Sequence, residues 1–231
     1  MNTTKKPKCL IRIQGITLKS IDYGEYDKIL HVFTREEGIL HLIAKGANRP
    51  TSANKTGSQS LIDAEFLTEK KGEGHSLHVC REITPSDYRL YLRDDIDKLR
   101  TGCGLAHAVL RSQIPEHPAP PLFSLFHIYL DRIKVSANMP ALSASFALKL
   151  LRYEGLFALP AGCSECGHFF PDGFFSEKLF YCADHRPEKS LFFSEEEFQI
   201  LFLLAYSREI SLIESLPISP ELIKKIEIAL Y

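Results

Sequence analysis

The sequence predicts an α+β protein: an N-terminal five-stranded β-barrel of the OB type, followed by an all-α domain that carries a small zinc module. Up to residue 84, short apolar runs alternate with Gly, Asp, Asn or Pro, which is typical of strands. From Pro85 onward the apolar residues recur with a period of about 3.6, which is typical of helices. Two pairs of metal-ligand residues then indicate a metal module between residues 159 and 189.

Five strands are predicted in the N-terminal part, over residues 9–21, 28–34, 39–44, 61–68 and 77–83. Each run is short and rich in Ile, Leu, Val or Phe, the residue types that strands favour. Five such strands within so few residues favour a small closed barrel. The OB fold is a common barrel for single-stranded nucleic acid, and an SH3-like barrel would give a similar strand count.

Helices are predicted over residues 87–112, 122–136, 142–154, 195–206 and 220–230. Ser194, with Glu197 three residues later, forms a capping-box pattern before the fourth of these helices. The metal module therefore interrupts one helical domain. The predicted divisions are the OB-type barrel, the first part of the helical domain, the zinc module and the C-terminal helices, over residues 1–84, 85–158, 159–189 and 190–231.

The most informative motif consists of two pairs of potential metal ligands with two residues between the members of each pair: Cys163, Cys166, Cys182 and His185. Each pair directs two donors to one side of a turn. Between the pairs, Pro171-Asp172-Gly173 supplies turn residues, and the apolar arms 174–175 and 179–181 predict a short hairpin. Three thiolates and one imidazole leave no position for a reactive water, so we expect one structural zinc per chain. His168 is an alternative to His185 as the fourth ligand.

Positive charge is concentrated in the N-terminal part. Residues 1–81 contain thirteen Lys/Arg and nine Asp/Glu, whereas residues 82–231 contain fifteen and twenty. No acid occurs from residue 38 to residue 62, and Lys45, Arg49 and Lys55 lie there among Gly, Asn, Ser and Pro. This pattern predicts a mobile cationic loop that contacts a phosphate backbone, with a merely solvated surface loop as the alternative.

Several classes of protein are not expected. The sequence has no apolar run of membrane-span length and no signal-type core near its start, so we expect a cytoplasmic protein. Cys9, Cys80 and Cys103 lie in apolar contexts, as buried thiols do in a reducing compartment. No His is followed by Glu two residues later, and His-Glu-x-x-His does not occur, so the motifs of a zinc deaminase or a zincin are missing.

Three segments resemble the N-terminal signature of the RecO family of bacterial DNA-repair and recombination-mediator proteins: DYGEYDK (22–28), FTREEG (33–38) and AKGANRP (44–50). The order of barrel, helical domain and four-ligand zinc module is similar to the family along the whole chain. Zinc-bearing members commonly use four cysteines, and His185 is a substitution that zinc accepts. Asn48 and Thr51 stand where the family often has basic residues.

The resemblance implies a DNA-binding mediator without enzymatic activity, in the cytoplasm and associated with the nucleoid. RecO-like proteins bind single- and double-stranded DNA, anneal complementary strands, associate with RecR, engage the acidic, apolar C-terminal tail of single-strand-binding protein (SSB), and help load RecA. The alternative is a zinc-ribbon adaptor that binds only protein.

Two sets of residues are candidates for these contacts. We expect basic residues of the barrel to contact phosphates: Lys19, Lys28, Arg35, Lys45, Arg49 and Lys55. Lys45 and Arg49 are the strongest of these because they fall inside the matching motif. An apolar groove beside cations would suit the SSB tail, and its candidates are Phe126, Tyr129, Arg132 and Lys134. The same aromatic residues at helical spacing are more often part of a core.

Overall fold

The computed structural model describes residues 10–70 and 76–230, and the chain divides into two compact units, Met1–Lys134 and Val135–Tyr231. Each unit has its own apolar core. The predicted domain boundary at residue 84 falls inside the first unit, because the two helices that follow the barrel pack against it. Cys9 and the start of the first predicted strand lie outside the described residues. Of the other two thiols predicted to be buried, Cys80 is buried, whereas Cys103 is exposed, which corrects the prediction for Cys103.

The first unit contains a five-stranded sheet. Its strands are β1 (Leu10–Tyr23), β2 (Asp27–Thr34), β3 (Gly38–Ala44), β4 (Asp63–Glu69) and β5 (His78–Asp87). The hydrogen-bonded order β1-β2-β3-β5-β4 returns to β1 and closes the sheet, with β3 and β5 parallel and the other pairs antiparallel. The five predicted strands are confirmed. β5 is longer than predicted and continues to Asp87.

Alternation along the strands separates the two faces of this sheet. Leu30, Leu42 and Phe66 belong to the inner core and are fully buried. Phe33 points to the opposite side, where its ring lies 5.3 Å from that of Phe123. The outer surface is therefore divided between a part covered by helices and a part that faces solvent.

The connection between β3 and β4 contains a short helix, α1 (Asn54–Gly57). The Gly46 N–H donates to Asp27 Oδ1 at 2.8 Å. Asn54 joins the connection to β5, since its Oδ1 accepts from the Ile83 N–H at 2.9 Å and its Nδ2 donates to the Arg81 carbonyl at 3.4 Å. These bonds anchor, at two points, the connection that was predicted as a mobile loop. The sequence did not reveal them because the partners lie 19 to 29 residues away.

Two long helices complete the first unit, α2 (Ile96–Ser112) and α3 (Pro120–Ile133). Asp95 caps α2 by accepting from two backbone N–H groups at 2.8 and 3.2 Å. The predicted start of α2 at residue 87 is wrong. The chain there forms the end of β5 and a 3₁₀ turn at Leu90–Leu92, because Arg89 takes a left-handed conformation with φ of 44°.

Arg89 also forms a buried charged cluster between the barrel and α3. Its side chain has 0% exposure, and its guanidinium lies 3.5 Å from the Asp63 carboxylate and donates to Asp131. His127 lies between the same two carboxylates, 3.3 Å from Asp63 and 3.0 Å from Asp131. This cluster fixes α3 on the barrel by charge as well as by apolar packing.

The second unit combines four helices with a small sheet. Its elements are α4 (Met139–Tyr153), β6 (Gly173–Ser176), β7 (Leu179–Tyr181), β8 (Leu191–Phe193), α5 (Glu195–Tyr206), α6 (Ile210–Ser215) and α7 (Pro220–Leu230). The strand order is β7-β6-β8. The capping box at Ser194 is confirmed, whereas β8 and α6 were not predicted. In the part of the chain that is described, no helix is both long and apolar enough to cross a bilayer.

Candidate metal centre and nucleic-acid interface

Four potential ligand atoms converge in the second unit, and all lie within 4.8 Å of one another: Cys163, Cys166, Cys182 and His185. The Sγ atoms of Cys166 and Cys182 are 3.9 Å apart, and His185 Nδ1 lies 3.3 Å from Cys182 Sγ. Tetrahedral zinc places two sulfur ligands about 3.8 Å apart and a sulfur and a nitrogen about 3.5 Å apart. The donor set and its spacing therefore fit zinc.

The turn that carries the first pair of ligands is tightly hydrogen-bonded. The Cys163 N–H donates to the His168 carbonyl at 2.9 Å, and the Gly167 N–H donates to the Cys163 carbonyl at 2.8 Å. A Cβ on Gly162 would lie 2.4 Å from the Gly167 carbonyl oxygen, so this position requires glycine. Ser164 donates from both its N–H and its hydroxyl to the Phe180 carbonyl at 2.9 Å, which ties the turn to the following hairpin.

The hairpin between the two pairs consists of β6 and β7. Its two-residue turn is Glu177-Lys178, with φ angles of 49° and 66°. The turn was predicted at Pro171-Asp172-Gly173 instead, but Pro171 and Asp172 precede the hairpin and Gly173 begins β6. Left-handed turns of this kind follow the natural twist of a hairpin. The predicted apolar arms are confirmed as strands, and they pack through the rings of Phe175 and Phe180, whose centroids are 4.8 Å apart.

The hydrogen bonds around Cys163 favour its thiolate form. The residue is only 4% exposed, and burial opposes its ionisation. Backbone hydrogen bonds from Cys182, Cys166 and Glu165 outweigh this effect and lower the pKa of the Cys163 thiol to about 6. The thiolate is the form that binds zinc. Among the described residues His185, and not His168, joins this cluster.

The basic residues predicted to contact phosphates differ in their surroundings. Five have exposed side chains: Lys19, Arg35, Lys45, Arg49 and Lys55. Lys28 is half-buried, and its ammonium lies 2.8 Å from the Asp22 carboxylate, which neutralises part of its charge.

Three of these cations lie together at one end of the barrel, beside the turn between β1 and β2. Lys28 pairs with Ala44 across β2 and β3, and Lys45 follows Ala44 directly. The Arg49 guanidinium lies 5.1 Å from the centre of the Tyr26 ring. We call Tyr26, Lys28, Lys45 and Arg49 the cationic cluster. Tyr26 was not predicted as a site residue, although it falls inside the first matching motif.

The other three cations lie apart from the cationic cluster. Lys19 is opposite His31 in the middle of the β1–β2 pair. Arg35 lies in the turn between β2 and β3, at the opposite end of those strands. Lys55 lies in α1, which Asn54 holds against β5. The structure therefore does not gather all six predicted residues into one site.

The predicted groove residues on α3 divide into two groups. Phe126 and Tyr129 have exposures of 0% and 1%, so they belong to the core, and the groove interpretation is corrected for both. Arg132 is half-buried and Lys134 is exposed, with its ammonium 6.0 Å from the centre of the Tyr91 ring. Helical periodicity alone does not distinguish a core stripe from a binding stripe.

Comparison with known proteins gives matches along almost the whole chain. Residues 9–89 match the family "Recombination protein O N terminal", and residues 93–230 match "Recombination protein O C terminal". The boundary between these matches lies next to the end of β5.

Similar proteins are named "DNA repair protein RecO". One from Desulfitobacterium hafniense is 31% identical over 153 residues, which are 66% of this chain and 55% of that protein. One from Exiguobacterium sp. is 24% identical over 217 residues, covering 92% of this chain and 84% of that protein. One from Chlamydia muridarum is 35% identical over 107 residues, 46% of each chain. The match thus spans just over half the length of the Desulfitobacterium protein.

Proposed function

The chain belongs to the RecO family, and we propose from this premise that it is a DNA-binding recombination mediator in DNA repair. It binds single- and double-stranded DNA, promotes annealing of complementary strands, and acts with RecR to load RecA onto DNA coated with SSB. The observation that carries the proposal is the cationic cluster at one end of the barrel. We further infer that the barrel is of the OB type, a fold that binds oligonucleotides along strands 2 and 3 and the adjoining loops.

The arrangement of the cationic cluster suits a phosphate backbone. Lys45 and Arg49 are exposed, and within the described ranges neither forms an ion pair with a carboxylate. The Tyr26 ring beside Arg49 offers an aromatic surface to a base, while the guanidinium contacts a phosphate. The hydrogen bond from Gly46 to Asp27 fixes the chain between the two cations before DNA binds.

Salt-dependent binding tests this proposal. A labelled oligothymidylate is titrated with the protein at several salt concentrations, and the binding constant is plotted against salt on logarithmic axes. Lys45→Ala with Arg49→Ala should lower the slope by about 1.4, roughly 0.7 for each phosphate of a single strand that the variant no longer neutralises. Arg208→Ala with Lys224→Ala is the matched control, because it removes two exposed cations from the second unit.

The outcomes separate the candidate functions. An unchanged slope in the first double variant would place the phosphate contacts elsewhere. A wild-type protein that fails to bind DNA even at low salt would contradict the proposal and favour the zinc-ribbon adaptor, which contacts only protein.

The metal centre has a structural role in this proposal. Cys163, Cys166, Cys182 and His185 would hold one zinc ion, which supplies a cross-link between two turns rather than a reactive water. The support for this role is the donor set and its spacing. No step of DNA binding requires the metal itself.

RecR, RecA and the SSB tail are the partners we propose from the resemblance to the family. For the acidic tail, Arg132 and Lys134 remain the proposed contacts, since Phe126 and Tyr129 are buried. Arg132→Gln should weaken binding of a peptide with the tail sequence and leave binding of naked DNA unchanged. Equal loss of both would indicate that the substitution only disturbs the fold, and unchanged peptide binding would place the tail elsewhere.

A further inference from the structure

Three adjacent strands of the barrel place a lysine and two histidines in one row. Lys19 of β1 pairs with His31 of β2, and His31 pairs with His41 of β3. Their neighbours Leu30 and Leu42 point into the inner core, so the row faces outward.

The row has the chemistry of a nucleic-acid contact. The two imidazole rings lie 4.4 Å apart between their centroids, with an angle of 48° between their planes. Both are half-buried, whereas Lys19 is exposed. A pair of rings beside a cation offers a surface on which a base can stack and a charge that a phosphate can contact.

The row is continuous with the cationic cluster. The next residues on the same face are Ile21, Ile29 and Ile43, which again pair across the three strands. Ile21 is 38% exposed. Lys45 of the cationic cluster lies two residues beyond Ile43, so a strand that contacts the cluster by its phosphates reaches the row along β3.

We propose that His31 and His41, with Lys19 beside them, form a base-stacking surface that favours single-stranded over double-stranded DNA. This inference rests on the proposed function and adds the class of DNA and the residues that select it. Stacking requires an unpaired base that can turn its face to the protein. A duplex presents only its backbone and groove edges, so it meets Lys19 and the cationic cluster but not the two rings.

Burial of the two rings favours their neutral form. Burial lowers the pKa of His31, and His41 and Lys19 lower it further. Burial likewise lowers the pKa of His41; Glu116 opposes this effect, and His78 adds a smaller lowering. At neutral pH the uncharged form of both imidazoles is therefore favoured, which suits contact with bases rather than with phosphates.

The test compares a labelled oligothymidylate with a labelled hairpin duplex at neutral pH and fixed salt. His31→Ala with His41→Ala should lower affinity for the single strand roughly tenfold and leave affinity for the duplex nearly unchanged. His31→Phe with His41→Phe should restore single-strand binding, because phenylalanine keeps the stacking surface without an ionisable group. His107→Ala, an exposed histidine of α2, is the control.

Three results would overturn the inference. They are equal loss of single-strand and duplex binding in the Ala variant, wild-type single-strand binding in that variant, and rescue by Lys but not by Phe at the two positions. The two single Ala variants and thermal melts keep the test valid if the double variant is unstable. If only the Lys45 and Arg49 variant loses DNA binding, the proposed function stands and this inference fails. If the wild-type protein binds neither DNA, both fail.

Discussion

Removing the proposed zinc ion should destabilise the second unit and leave the first unit unchanged. Cys182→Ser is the sharpest change, because Cys182 Sγ lies 3.9 Å from Cys166 Sγ and 3.3 Å from His185 Nδ1. A hydroxyl at this position is a poor zinc ligand. Loss of zinc would remove the cross-link between the turn that carries Cys163 and the segment that carries His185.

The size of the effect follows from mass action. Free zinc at a thousand times its dissociation constant stabilises the form that binds it by about 4 kcal/mol. In a domain of 60–100 residues, 1 kcal/mol changes the melting temperature by about 4–8 °C. Val135–Tyr231 lies at the upper end of this size range, so the lower value applies. We therefore expect its melting temperature to fall by about 15 °C or more.

Calorimetry with and without a strong chelator measures this change, and elemental analysis gives the zinc content per chain. Cys103→Ser is the matched control, since Cys103 is an exposed thiol of the first unit. His185→Cys should retain both zinc and stability, because zinc accepts a fourth thiolate. A wild-type protein that contains no zinc and melts at the same temperature with and without chelator would refute the reasoning.

Three further predictions concern stability. Arg89→Met should cost about 3 kcal/mol in urea unfolding, because it leaves the buried Asp63 carboxylate without its cation; a cost below the error of the measurement would contradict this. Ser194→Ala should cost about 1 kcal/mol by removing the cap of α5, and Ser194→Thr should recover most of it. Because burial lowers the pKa of His31 and His41, the folded state resists their protonation. Their contribution to the stability of the folded state is thus complete above the ordinary histidine pKa of about 6.5 and is lost as the pH falls below it. Replacing both by Gln should therefore reduce the difference between the urea midpoints at about pH 7.5 and about pH 5.5.

Local patterns predicted the elements of the fold better than their boundaries. The capping box at Ser194 gave the first residue of α5 correctly, because a cap is encoded by side chains within one turn. The start of α2 was placed too early, because the apolar period continues through the end of β5 and a 3₁₀ turn. Nothing in the local pattern indicates that Arg89 adopts a left-handed conformation, since its partners Asp63 and Asp131 are distant in sequence.

The two candidate sites differ in the same way. The four residues of the candidate metal cluster were all predicted, because each pair lies within four residues and the donor types themselves indicate zinc. The proposed nucleic-acid contacts were predicted from charge and, for Lys45 and Arg49, from the matching motif, and neither says which strands are neighbours. The pairing of Lys19, His31 and His41 depends on the register of β1, β2 and β3, which includes an irregularity between Thr17 and Lys19.

The anchored loop bears on the proposed DNA binding by the barrel. A mobile cationic loop would lose conformational entropy for each residue that DNA orders. This cost would offset part of the favourable free energy of its phosphate contacts. Here Gly46 and Asn54 already hold the connection through hydrogen bonds to Asp27 and to β5, and Arg49 already lies against Tyr26. The ordering cost is met when the protein folds rather than when DNA binds. A loop with only a few cations would therefore retain more of the free energy of each phosphate contact.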